Sequence, residues 1–454
     1  MKVVHVPFCY WPDPVGGTEV YVESLAKQQQ QQGLQILVAA PSELNQAYSY
    51  SGLKVRRFPV TQRVQDVADL YGEGDALAAE AFGRILDEER PDLVHLHAFT
   101  YGASLRLVRE AKKRKMPVIF NYHTPTVSCQ RGTLLRWGSE ACDGVLDVTD
   151  CTRCTLHGHG MSRLSSVIAG SIPSAVGRAL GAMRASGGVW TAARMTELVR
   201  VRQNAFRCLM AEVDHIIALC QWVKDVLLRN GVPGEKITVS RQGLCQSDDN
   251  AALHSLMSSE REAGLRIAFL GRLDPTKGAH ILIHALKQAP ELRVELDIYG
   301  IAQGAAGAAY LRSLKQLAAG DRRVAFRDPL PSQEIVTRLR EYDVLAVPSQ
   351  GLETGPMVIL EAYAARVPVI GSNLGGIAEL VTHGVDGLLV DPHSVEAWRG
   401  VIEESCSDRD SLNSLRVGIR PPRRIREVAA EMATLYASCC EKAPSFCGLA
   451  HESA

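Results

Sequence analysis

The chain has no excess of charge of either sign: among its 454 residues, 50 lysines and arginines meet 50 aspartates and glutamates. That balance removes the whole-chain pull towards nucleic acid or an anionic membrane that a basic protein has. It also lacks any apolar run approaching the ~18–20 residues of a membrane span. The opening Met1-Lys2-Val3-Val4-His5-Val6-Pro7 is too short an apolar run for an export signal and reads as a first strand. The expectation is therefore a cytoplasmic protein. Its twelve cysteines are expected to stay reduced, and their spacing is read as metal ligation or packing before disulfide. Low complexity is confined to the glutamines at 28–32, which fall on a helix's last turns and read as a solvated face.

At this length one core is too small, and two domains of roughly 200 residues suit the chain. Strand-like and helical runs alternate, which predicts parallel sheets. Expected first-domain strands are 2–6, 36–39, 92–96, 118–122, 214–219 and 237–240, with helices at 19–32, 103–115 and 221–230. The polar, non-periodic stretch 246–264 reads as the linker. A second series follows, with strands at 266–270, 294–299, 324–326, 344–347 and 368–371. The expected fold class is α/β, two doubly wound Rossmann-like domains facing across a cleft, with ligands outside the C-terminal strand ends.

The segment from Val344 to Ala362 carries the sharpest signal. A buried-type run stops at Pro348, small residues follow, and a helix is predicted to open near Pro356, where a missing N–H costs nothing. Thr354, Gly355, Met357 and Val358 would offer free backbone N–H groups to phosphate, with Pro356 opening the helix whose dipole points the same way. Glu353 and Glu361 flank them, and carboxylates beside an anion site suit neutral hydroxyls, as on ribose or a hexose. Phosphate with two sets of hydroxyls describes a nucleotide sugar. Gly271 and Arg272 end another predicted strand, with Lys277 close behind, so both cations stand at the same sheet edge; arginine can grip two phosphate oxygens and lysine adds a point charge.

Taken in order, these segments resemble a family 4 glycosyltransferase of the GT-B type, from the first strand to the helix near Ala437. The resemblance rests on Glu353…Glu361, on Gly271-Arg272-Leu273-Asp274-Pro275-Thr276-Lys277-Gly278, on Gly16-Gly17-Thr18, on Gln242-Gly243, and on the blocks beginning at Gly375 and His383. It implies an N-terminal acceptor domain at 1–245, a donor domain at 262–415, a helix at 420–441 packing back on the first domain, and a flexible tail at 442–454. It implies retaining transfer of a hexose from a nucleoside diphosphate sugar to a sugar, lipid-linked or other hydroxyl acceptor, in bacterial polysaccharide, glycolipid or glycoconjugate synthesis. Gly16, Gly17, Gly271, Arg272 and Lys277 would line the donor site, Glu361 would hold the ribose, and Glu353 and His123 the hexose. Arg272, Lys277, Glu353 and His123 are the catalytic set this implies. No Asp-x-Asp metal motif stands in a comparable place, so no cofactor is required for catalysis. A β-linked product would instead call for a general base, His123 or Asp13.

Two departures stand out: Arg366 and Asp328 occupy positions where the family has glycine. His95 and His97 alternate at a strand end, with acceptor contact and a structural role both open. Cys129, Cys142, Cys151 and Cys154 lie in a non-periodic insertion at about 126–160 and suggest a structural zinc. An iron–sulfur cluster, a disulfide, no metal, or His157 or His159 as a replacement ligand remain open. Between 161 and 210 seven arginines meet the single acid Glu197, which reads either as a solvated face or as peripheral contact with the inner membrane surface. Two other readings use the same architecture: a sugar-nucleotide epimerase or phosphorylase, and an inactive nucleotide-sugar-binding scaffold.

Overall fold

A computed structural model describes residues 1–13, 16–64, 66–183, 187–245 and 264–442. The expected linker 246–264 lies outside the described residues apart from 264, and the expected tail 442–454 apart from 442. The first domain is built on strands β1 (Lys2–Val6), β2 (Gln35–Ser42), β3 (Gln46–Tyr50), β4 (Leu53–Pro59), β5 (Leu93–Leu96), β6 (Val118–Tyr122), β9 (His215–Ala218) and β10 (Ile237–Val239). Between them, β7 (Leu135–Arg136) and β8 (Glu140–Ala141) make a separate small hairpin. The large sheet runs β10-β9-β6-β5-β1-β2-β4-β3 and is parallel except at β3. Its central strands are buried on both faces, the reason they read as unbroken apolar runs.

The second domain has β11 (Leu265–Arg272), β12 (Val294–Ile301), β13 (Val324–Arg327), β14 (Val344–Val347), β15 (Val369–Ser372) and β16 (Gly387–Val390). These form one parallel sheet in the order β13-β12-β11-β14-β15-β16. Order reverses beside β11 and β14, so the loops after those two strands open onto one crevice. The C-terminal helix Ile425–Lys442 crosses back to the first domain. There Val428, Ala429, Met432 and Tyr436 bury against Tyr21, Val22 and Leu25 of the helix Gly17–Gln31.

Three expectations change. The hairpin β3–β4 was not predicted, because Gln46–Tyr50 is polar and largely exposed at the sheet edge. The cysteine insertion contains an 11-residue helix, Val148–Gly158, opened by the Asp147 carboxylate, which accepts the Asp150 amide at 2.7 Å. Leu156 holds that helix against Met195, Leu198 and Val199. Gln29, within the expected solvated run, is fully buried.

Candidate active site

The cleft is assembled from strand ends. Gly278 opens the helix Ala279–Lys287 with φ +76°, and a Cβ there would lie 1.8 Å from the Pro348 carbonyl, so only glycine lets the loops after β11 and β14 run this close. The Gln350 amide locks them further by donating to the Thr276 carbonyl at 2.6 Å. This seats Lys277 beside Glu353: Nζ lies 2.6 Å from Oε2, while the Ser349 hydroxyl donates to Oε1. Burial alone would raise the Glu353 carboxyl, but Lys277, Ser349 and Arg272 outweigh it and hold it below its ordinary range.

Arg272 ends β11 exposed, its guanidinium making no hydrogen bond or ion pair among the described residues. Across the cleft stands Glu19, a buried carboxylate that accepts the Gly16 amide at 2.9 Å. Burial raises Glu19, and the charge of Arg272 is among the influences that lower it, so the two groups sense each other across the domains. The helix Met357–Ala364 has Pro356 as its N-cap, and its first-turn amides at Met357 and Val358 have no partner within the helix. One turn on, Glu361 is partly buried, its carboxylate accepts no hydrogen bond among the described residues, and burial pushes it up to about 7.

His123 follows β6 into the cleft. Its backbone carbonyl accepts the Thr354 hydroxyl at 2.7 Å, a direct tie between the domains. Its Nε2 faces His97 Nδ1 at 3.0 Å and the Asn121 amide at 2.9 Å. The line continues inward from His97 to His5 (2.9 Å), from His5 to Gln29 (2.8 Å), and from Gln29 to Tyr436 (3.1 Å), which also meets His95 at 2.7 Å. Burial lowers His5 to about 4 and His123 to about 3, and holds His95 and His97 well below 6.5. All four rings are neutral near pH 7, so His123 is a poor general base. His95 and His97 lie inside the domain and cannot meet an acceptor. Asp13 is engaged by the buried Arg57. His5, His95 and His97 offer ring nitrogens within 4.8 Å of one another, but hydrogen bonds along this line already use most of them.

Sequence reasoning assigned no role to Glu379, Trp222 or Ser349. Glu379 of the second domain accepts the Gln221 amide (2.8 Å) and the Trp222 amide (2.9 Å), capping a first-domain helix from the opposite side. The Trp222 indole donates to the Glu353 carbonyl at 3.0 Å. The only prior signal was Glu379 inside a family-typical block; its partner lies 158 residues away.

Arg366 has φ +60° and donates to the Ile419 carbonyl at 2.5 Å, so it braces the last helices and does not enter the cleft. The basic stretch divides. Arg194 is buried with Glu197 at 3.0 Å, and Arg202 stacks on Phe99 at 3.8 Å, whereas Arg163, Arg178 and Arg200 are exposed. In the insertion, burial first, then the charges of Cys129, Cys142 and Cys154, push Cys151 up to about 12, but among the described residues the set of potential metal ligands found within 4.8 Å of one another is His5, His95 and His97, not these four sulfurs.

Residues 16–243 match the family pattern described as glycosyl transferase 4-like domain, and 258–419 that of glycosyl transferases group 1. The D-inositol 3-phosphate glycosyltransferase of Corynebacterium efficiens is 33% identical over 193 residues, 39% of this chain and 45% of that protein. Its namesake from Rhodococcus jostii is 31% identical over 231 residues, 47% of this chain and 49% of that protein. The chain thus spans about half the length of the curated relatives it matches. Sucrose-phosphate synthase from Thermosynechococcus elongatus superposes with TM-score 0.66 at 18% identity, covering 96% of this chain and 98% of that one. Anabaena HepE in complex with UDP gives 0.61 at 16%, covering 96% and 100%. By its two matched domains and its paired parallel sheets, the chain belongs to the family 4 glycosyltransferases and has the GT-B fold.

Proposed function

We propose that this protein transfers a hexose from a nucleoside diphosphate sugar to a hydroxyl acceptor, retaining the anomeric configuration. The observation that carries the reading is the Lys277–Glu353 pair at 2.6 Å beside the unpaired Arg272. A donor diphosphate brings about two negative charges to these cations. As Lys277 turns to phosphate, Glu353 is released to accept hexose hydroxyls, so the ion pair keeps both groups in place until the donor arrives. Glu361, partnerless on its helix, is suited to the ribose hydroxyls.

In the transfer, the bond from the anomeric carbon to the phosphate oxygen breaks while the bond to the acceptor oxygen forms on the same face. The acceptor's proton passes to the departing phosphate oxygen. Arg272 and Lys277 stabilise the charge that grows there, which lowers the barrier and not merely the binding energy. The low basicity of His123 and the pairing of Asp13 with Arg57 leave neither residue well suited to be the base of an inverting reaction.

UDP in the HepE structure makes a uridine diphosphate sugar the first donor to try, and the inositol phosphate relatives make a phosphorylated polyol one acceptor. Leu164, Ile168, Met183, Val189 and Trp190 are exposed, as are Arg163, Arg178 and Arg200 of the same stretch of sequence, which supports contact with an anionic lipid surface and a glycolipid or polysaccharide acceptor. No helix among the described residues is long and apolar enough to cross a membrane. The test is a panel of nucleotide sugars, reading diphosphate release and the anomeric configuration of the product by NMR. Release from no donor returns the chain to a binding scaffold, and a β-linked product from an α-linked donor refutes retention.

A further inference from the structure

Behind His123 the polar line of the first domain ends on an amide, and its proton order decides what His123 offers the cleft. No carboxylate hydrogen-bonds to His5, His95, His97 or His123 among the described residues, and burial keeps all four rings neutral. A neutral imidazole has one N–H and one lone pair. Fixing the partner of one ring nitrogen therefore fixes the role of the other, and the choice passes from ring to ring.

Gln29 is the fixed end. Both halves of its buried amide are engaged: the nitrogen donates to the Tyr436 hydroxyl at 3.1 Å, and the oxygen lies 2.8 Å from His5 Nε2. An amide oxygen only accepts, so the His5 proton sits on Nε2 and its Nδ1 is a lone pair. His97 Nε2, 2.9 Å away, then donates to that lone pair, and His97 Nδ1 is left to accept from His123 Nε2 at 3.0 Å. Asn121 ends 2.9 Å from the same Nε2, with its oxygen otherwise unpartnered. The two halves of an amide have the same shape, and turning Asn121 over lets that oxygen share the Nε2 proton. Tyr436, having accepted from Gln29, donates onward to His95 Nδ1 at 2.7 Å.

We propose that Gln29 and Tyr436 are positioning residues for the transfer: through His5 and His97 they hold His123 in its Nε2–H tautomer, so that Nδ1 accepts a hydrogen bond from the donor hexose. His123 Nδ1 is buried and has no partner among the described residues, at the cleft end of β6 where the His123 carbonyl ties to Thr354 of the second domain. An unsatisfied buried acceptor is a standing cost that a hydroxyl donor removes. Gln29 lies on the helix Gly17–Gln31 and Tyr436 on Ile425–Lys442, which pack together. The helix returning from the second domain thus holds the far end of the line. The sugar contact rests on the donor reading of the cleft; the proton order does not.

Long-range proton–nitrogen correlation spectra of the full chain, labelled with ¹⁵N-histidine and recorded near neutral pH, distinguish the two tautomers of each ring. The His123 signals are identified by their loss in His123→Gln. The expected result is Nε2–H for His123, His97 and His5, and an Nδ1–H tautomer at His123 overturns the proposal. Tyr436→Phe and Gln29→Leu should each shift the His123 signals towards the other tautomer. Both should lower kcat for transfer from a UDP-hexose by about 3- to 10-fold, as expected for one neutral hydrogen bond, and leave the affinity for free UDP, which lacks the hexose, unchanged. Unaltered His123 signals with normal kcat in the folded variants overturn the positioning role, and so does a loss of UDP affinity in step with kcat, the mark of general damage. Should either variant fail to fold, the wild-type spectrum still decides the proton order. Transfer from no donor would fault the donor reading and leave that order standing.

Discussion

Glu361 gives the most discriminating test of the donor site. Burial without a hydrogen-bond partner raises its carboxyl from an ordinary 4.5 to about 7. That difference corresponds to roughly 3 kcal/mol, an upper figure because the group is only partly buried. Ribose hydroxyls donate to the charged form, so nucleotide binding should return the carboxyl towards 4.5 and expel its proton. About half a proton should leave at pH 7 and close to one at pH 6, with affinity rising up to about tenfold per pH unit between 5 and 7 and levelling above 7. Calorimetry of UDP binding in buffers of different ionisation enthalpy measures the release directly. The diphosphate itself titrates near pH 6, so the Glu361→Gln variant serves as the baseline and the difference belongs to the carboxyl. Glu361→Gln should weaken binding about 10- to 100-fold at pH 8, the worth of charge-assisted hydrogen bonds, and much less at pH 5.5, where the wild-type carboxyl is already protonated. Stability moves the other way. A carboxyl raised in the folded state costs stability as pH climbs from 4.5 through 7, so the ligand-free variant should melt higher than wild type at pH 8 and alike at pH 4. Equal proton release in the two proteins would refute the ribose assignment.

Arg272→Ala and Lys277→Ala should each lower kcat by about 10²–10³-fold in the diphosphate-release assay, and near-normal turnover in either would sink the leaving-group role. Glu353→Gln should leave free diphosphate binding intact and impair transfer; a variant that transfers normally would make the Lys277 pair merely structural. Glu379→Gln should loosen the cap on Gln221 and Trp222 and widen the cleft, read as a larger radius of gyration by X-ray scattering without ligand, and an unchanged radius would show that other contacts close the domains. Vesicles containing anionic phospholipid should co-sediment the protein and neutral vesicles should not; equal behaviour on both removes the lipid-surface reading.

Local signals were sufficient wherever one segment decides its own conformation. Val344–Val347 is buried on both faces and ends at a proline, and Pro356 suits a helix start, so the loop between them and its two flanking glutamates were legible in the sequence. Arg272 and Lys277 were legible for the same reason, because a strand end followed by Asp-Pro-Thr-Lys-Gly leaves them nowhere but the sheet edge. The helix Val148–Gly158 was not, since its threonines and cysteines are indifferent helix formers and it is the packing of Leu156 on Met195 and Leu198 that stabilises it.

Pairing across long separations belonged to the tertiary structure alone. Gln29 sits in a glutamine run that any local reading sends to solvent, yet Tyr436, 407 residues away, and His5 bury it between them. Glu353 looks like a free ligand group until the fold brings Lys277, Ser349 and Trp222 to it. Composition and periodicity determine what each segment prefers. Which polar group meets which depends on how sheets and domains close, because a buried polar atom must find a partner wherever the chain supplies one.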